Sequence, residues 1–164
     1  YQAILMHFLE ALGRTPETIM GHSFGGKVAT LLHPKRLVLL SSAGIVPKKP
    51  LTVRFKIALF KCLKALGGAK FYKLFATKDV EGMNQVMYET LKNVVDEDMR
   101  QEFINYSGES FIFWGMDDKA TPLKSGESIH SYMKNSEFFP LQGDHFFFLL
   151  HAQFISGVIG SEPC

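Results

Sequence analysis

Cysteine is scarce in this sequence: only Cys62 and Cys164 occur among 164 residues. The two show no metal-ligand spacing and read as reduced thiols of a cytosolic protein rather than as a disulfide framework. A strong charge of either sign is also missing. The net charge is +2, so the composition asks for no nucleic-acid partner. No apolar run is long enough to span a bilayer. The most apolar stretch, residues 146–159, is interrupted by His151, Gln153 and Ser156, and stable membrane insertion is not expected. The first residues carry no secretory pattern, so the expected location is the cytoplasm. Internal repeats and low-complexity tracts are absent. What remains is 46% hydrophobic and 21% charged, the balance of a globular chain the size of one ordinary domain.

Hydrophobic periodicity organises the chain. Residues 2–12 place Ile4, Leu5, Phe8, Leu9 and Leu12 on one helical face, with Gly13 as a stop. Glu17–Met20 reads as a short strand, residues 24–32 as a helix ended by His33-Pro34, and Arg36–Ser42 as a near-continuous apolar strand. Such runs suit a parallel sheet covered on both faces. Residues 48–105 differ. Lys48 to Lys78 contains no acidic residue, residues 79–109 turn acidic, and Phe55, Phe60, Phe71 and Phe75 recur at helical spacing. This segment reads as a helical insertion whose basic run is a solvated face. Afterwards strand and helix alternate again: Ser110–Gly115, a helix over 124–134, Ser136–Leu141, and a last helix over 146–159. The expected fold class is α/β, a parallel sheet with crossover helices. Residues 1–47 and 106–164 form its core, and 48–105 the insertion.

Between the first strand and its helix lies Gly21-His22-Ser23-Phe24-Gly25. A serine in a Gly-x-Ser-x-Gly turn from strand to helix is presented as a nucleophile, because the sharp turn lifts its hydroxyl clear of the sheet. Gly21 and Gly25 are expected to flank it because a Cβ at either place would strike neighbouring backbone. The helix that follows favours negative charge beside the serine, and the N–H of Phe24 is the expected oxyanion donor. A serine needs a base, and the base needs an orienting acid. Both are sought after later strands, since parallel strands end at one rim of the sheet. Asp117 and Asp118 follow the strand that ends at Gly115, and His145 follows the strand that ends at Leu141. The expected triad is Ser23, Asp118 and His145, with Asp117 as the competing acid. His7, His22, His33, His130 and His151 read as surface or core histidines, and Asp144 as a loop residue.

These segments together resemble the α/β-hydrolase superfamily. "GHSFGGKVA" is similar to that family's nucleophile turn, "FIFWGMDDKATPLKSG" to its acid segment and "LQGDHFFFL" to its histidine segment. The resemblance spans residue 2 to about residue 160. It implies Asp118 as the acid, with Pro122 in register, and it makes residues 48–105 the helical cap that roofs the site. Two departures stand out. Asp144 precedes the histidine where the family commonly has glycine. The family's early strands, which carry a second oxyanion donor, have no counterpart before Ser23. The chain, opening on Tyr1, is therefore expected to be the C-terminal part of a larger enzyme, with the missing strands supplied by the same parent chain and Thr18–Met20 at a sheet edge. The implied activity is hydrolysis of a small or medium carboxylic ester by acyl transfer to serine, with no metal or cofactor. Two alternatives stay open: hydrolysis of a carbon–carbon bond by the same triad, and a non-catalytic module that binds a small ligand or a partner.

Overall fold

The computed structural model describes residues 1–46 and 97–160. The expected cap helices lie outside the described residues. The chain divides into two compact units, Tyr1–Ile45 with Glu97–Cys164, and Val46–Asp96; the first is described here. Its elements are α1 (Gln2–Ala11), β1 (Thr18–His22), α2 (Phe24–Leu31), β2 (Arg36–Leu40), α3 (Arg100–Asn105), β3 (Glu109–Gly115), α4 (Leu123–Tyr132), β4 (Ser136–Leu141), a 3₁₀ turn (Phe147–Leu149) and α5 (Ala152–Gly160). Among the described residues no helix is long and apolar enough to cross a membrane.

The four strands form one sheet in the order β1-β2-β3-β4, and every pairing is parallel. Parallel neighbours require crossovers. Here α2 joins β1 to β2 and α4 joins β3 to β4. Side chains alternate across a strand, and the apolar run of β2 divides accordingly. Leu37 and Leu39 enter one buried cluster with Ala29, Phe103, Ile112, Trp114 and Ile129. Val38 and Leu40 enter the other, with Phe111, Phe113, Phe147 and Ile155. The sheet is thus covered on one face by α2, α3 and α4, and on the other by the 3₁₀ turn and α5. This is the two-sided burial that the unbroken apolar run implied.

Three features depart from the sequence expectation. Residues 97–105, assigned above to the insertion, pack into the core: Met99 and Phe103 are fully buried, and Met99 N–H donates to the Gly44 carbonyl at 2.8 Å. Acidic charge in this segment disguised a short helix whose apolar side closes the sheet. Lys27 is equally concealed in sequence. It is buried within α2, where its Nζ lies 2.8 Å from Glu97 Oε2 and donates to the Glu97 carbonyl at 3.0 Å. A buried ammonium needs such partners. The expected helix over 146–159 is broken. A 3₁₀ turn comes first, and α5 begins only at Ala152. His151 stands before that helix and shares a 2.8 Å hydrogen bond from Nε2 to the Gln142 carbonyl.

β1 lies at a sheet edge, as expected for Thr18–Met20. Beside it, α1 buries none of its residues; Ile4 is 70% exposed and Phe8 54%. The apolar face read from sequence exists, but the described residues cover it only in part: Leu9 is half-buried, while Ile4, Phe8 and Leu12 are exposed. Together α1, β1 and α2 line an apolar groove of about 390 Å³ that includes Ile4, Met20, Phe24 and Val28.

The core assignment of α3 is testable. Phe103→Ala should cost about 3–5 kcal/mol in denaturant unfolding, whereas truncation of the exposed Ile104 beside it should cost roughly 0.5 kcal/mol or less. Equal and small costs at both positions would return this segment to the periphery.

Candidate active site

β1, β3 and β4 run parallel, so their carboxyl ends share one rim of the sheet. Ser23 follows His22 at the end of β1, Asp118 follows the end of β3 at Gly115, and His145 follows the end of β4 at Leu141. The topology therefore gathers three residues that are remote in sequence.

Ser23 adopts φ 52° and ψ −119°. This is a conformation in which a residue with a Cβ is strained, at a typical cost on the order of 1–3 kcal/mol. Backbone hydrogen bonds hold it there: Ser23 N–H donates to the Leu40 carbonyl at 3.1 Å, and its own carbonyl accepts from Gly26 at 3.1 Å and Ala43 at 2.9 Å. Ser23 occupies the N-cap of α2, yet its side chain makes no capping bond. Serine at this place ordinarily satisfies a helix amide. Here, among the described residues, Oγ has no hydrogen-bond partner. The Phe24 N–H, first in the helix, likewise has no acceptor among them. Among the described residues, an unpartnered hydroxyl therefore stands beside an unpartnered amide at the positive end of a helix.

Gly21 acts as expected, and Gly25 does not. A Cβ on Gly21 would strike the Gly25 carbonyl and lie 2.6 Å from Gly26 N, so Gly21 is needed for the turn to close. A Cβ on Gly25 would meet nothing within 4 Å. The second crowded position is Gly26, where the Ser42 side chain leaves no room. The close contact that demands a glycine on the helix side therefore sits one residue later than the spacing suggested.

Asp118 is buried with a fully covered carboxylate. Its Oδ1 accepts from the N–H groups of Ala120 at 2.8 Å and Thr121 at 2.9 Å. Its Oδ2 lies 2.7 Å from His145 Nδ1 and 2.8 Å from Thr121 Oγ1. Burial by itself raises the carboxyl pKa. The hydrogen bond from His145 and those from Thr121 outweigh it and hold the value below the ordinary 3.8. Asp118 is thus an anion, and an anionic acceptor calls for a proton on His145 Nδ1. Asp117 faces elsewhere: its Oδ2 accepts from Gln142 Nε2 at 2.9 Å, and the residue is exposed. The structure pairs His145 with Asp118, not with Asp117.

Close backbone approach holds the His145 loop against the Asp118 loop. Asp117 N–H donates to the Gly143 carbonyl at 2.9 Å, and a Cβ on Gly115 would strike the Asp144 carbonyl. Asp144 points into its own loop, accepting the Phe146 N–H at 2.8 Å on Oδ1. Three residues had no role of their own in the reading of the sequence. Thr121 secures the carboxylate, and Trp114, buried in β3, donates Nε1–H to the Thr121 carbonyl at 2.8 Å. His22, read as a bland histidine, packs its ring 4.5 Å from that of His145 and 4.8 Å from that of Phe148. Nothing local in the sequence marks these contacts.

No protein-family model and no curated protein matches the sequence. Solved structures do match the fold. A hydrolase from Pseudomonas aeruginosa PA01 is 17% identical, with a TM-score of 0.63, covering 96% of this chain and 68% of that one. A meta-cleavage product hydrolase from Pseudomonas fluorescens IP01 is 13% identical, with a TM-score of 0.64 and coverage of 94% and 67%. A serine hydrolase involved in carbazole degradation is 18% identical, with a TM-score of 0.66 and coverage of 97% and 69%. The chain spans about two thirds of the length of these structures. It has the α/β-hydrolase fold, in part, as a four-stranded parallel sheet with its helices.

Asp118 makes acid stability testable. Its folded pKa lies below the ordinary 3.8, so its contribution is complete above that pH and is lost as pH falls through the lower, folded value. Asp118→Asn cannot take up this proton. Unfolding measured from neutral to acid pH should show a shallower acid decline in the variant. Parallel curves for the two proteins would mean that the carboxylate contributes no such term.

Proposed function

We propose that this chain carries the catalytic triad of a serine hydrolase that acts on a small or medium carboxylic ester. The observation that carries this reading is the conjunction of a strained, uncapped Ser23 with the hydrogen-bonded Asp118–His145 pair at the same rim of the sheet. A serine that only closed a turn would be expected to cap its helix, and a buried carboxylate that only filled a loop would not need an imidazole.

In this reading Ser23 Oγ attacks the ester carbonyl carbon while His145 Nε2 takes its proton. Asp118 holds the Nδ1–H tautomer and stabilises the imidazolium. The tetrahedral oxygen gathers negative charge against the free Phe24 N–H and the N-terminus of α2. His145 then gives its proton to the departing alcohol as the carbon–oxygen bond breaks, leaving an acyl-serine. Water, deprotonated by the same nitrogen, attacks the acyl carbon. The acid leaves, and the proton returns to Ser23. The resting hydroxyl has no partner among the described residues, which suits a contact that tightens when substrate arrives. A second oxyanion donor belongs, in this proposal, to a strand of the same parent chain on the open side of β1. The exposed apolar side of α1 and the two-thirds span of the matched structures support that placement. Losing one such donor typically costs about 10²–10³ in rate.

A second reading is hydrolysis of a carbon–carbon bond beside a carbonyl. It uses the same three residues, and one matched structure is a meta-cleavage product hydrolase.

Ser23→Ala should lower ester hydrolysis by about 10⁶-fold and abolish covalent labelling by a fluorophosphonate, which reacts only with an activated serine. Labelling that persists in the variant would place the activated serine elsewhere, and a full chain that neither hydrolyses esters nor takes the label would leave a module that binds without catalysis.

A further inference from the structure

His22 immediately precedes the candidate nucleophile, and its side chain crosses to the candidate base. Its Nε2 lies 2.9 Å from the main-chain carbonyl oxygen of His145, a contact between residues 123 positions apart in sequence. A carbonyl only accepts, so Nε2 carries the proton and donates it. The ring is packed as well as bonded: it lies 4.5 Å from the His145 ring, 5.6 Å from Phe146 and 4.8 Å from Phe148. Burial of this ring, against the opposing bond to the His145 carbonyl, holds its pKa below the usual histidine value. The charged or titratable groups acting on it are His145 and Asp118; its other ring neighbours, Phe146 and Phe148, are apolar.

The other restraints on the His145 loop come from the acid side or from the loop itself. Asp117 N–H holds the Gly143 carbonyl, Asp118 holds the imidazole, and Phe146 and Phe147 N–H groups bond back to Asp144. None of these reaches β1. Ser23 Oγ is also unbonded among the described residues, so no direct hydrogen bond joins nucleophile to base. Within the described residues the His22–His145 bond is the hydrogen bond that spans from the nucleophile's strand to the base's loop.

We infer that His22 is a positioning residue: by donating Nε2–H to the His145 carbonyl it sets the separation of Ser23 from its base. The inference rests on the serine-hydrolase reading for its kinetic consequence but not for its structural one. A misplacement of about 1 Å at a reacting pair can cost on the order of 10²-fold in rate, so a single tie of this kind is enough to matter.

The test uses two variants of the full chain. His22→Phe keeps an aromatic ring against His145, Phe146 and Phe148 but removes the donor. His22→Gln places an amide N–H at similar reach without the ring. In His22→Phe, kcat on an ester should fall by about 10²-fold with KM changed less than about twofold, and His22→Gln should recover most of the loss. Independently of turnover, imidazole NMR should show the His145 Nδ1 proton exchanging with solvent about tenfold faster in His22→Phe and near the wild-type rate in His22→Gln. Unchanged exchange in His22→Phe, or equal kcat losses in both variants, would overturn the inference. If the exchange follows the expected pattern while the wild-type chain hydrolyses no ester, the tie stands and the serine-hydrolase reading fails.

Discussion

The contact on which the rest of the site depends is the 2.7 Å hydrogen bond between His145 Nδ1 and Asp118 Oδ2. It joins two loops that leave different strands, and it is the only direct side-chain link between the three residues of interest. Much of the surrounding architecture serves it. Trp114 holds the Thr121 carbonyl, Thr121 holds the carboxylate, and the bare Cα of Gly115 lets the base loop come within contact of β3. A carboxylate stripped of water is costly unless its oxygens are filled. Each oxygen of Asp118 has two hydrogen-bonding neighbours, so the residue remains an anion despite its burial.

The same economy governs the nucleophile side. The turn at Ser23 is strained, and three backbone hydrogen bonds hold it. They are made by the backbone, not by the serine hydroxyl, which has no partner among the described residues. Local strain is tolerated because β1, β2 and α2 over-determine the backbone. The edge position of β1 has the opposite character. One side of that strand is deeply engaged with β2, while the other, with α1 beside it, presents apolar surface.

The fold was legible because its signals are local and periodic. The apolar run of β2 could be read as a strand covered on both faces, and the strand–helix alternation as a parallel sheet, before any coordinates. The positions of Ser23, Asp118 and His145 followed from the same logic, because loops at the carboxyl ends of parallel strands must meet at one rim. What misled was equally physical. The acidic character of residues 97–105 hid the burial of Phe103, since a helix may be charged on one side and apolar on the other. The glycine that faces a crowded neighbour on α2 proved to be Gly26, because the obstacle is Ser42, sixteen residues away. Spacing within a motif carries no information about such a neighbour.

By itself the sequence determined the α/β class, the strand order of appearance, and the residues placed at strand ends, because hydrophobic periodicity and turn chemistry act over a few residues. Only the tertiary structure decided that Thr121 braces the Asp118 carboxylate and that His22 reaches across to the His145 carbonyl. Those are contacts between side chains and loops brought together by sheet pairing, and their geometry depends on ångström-scale packing that no local pattern encodes.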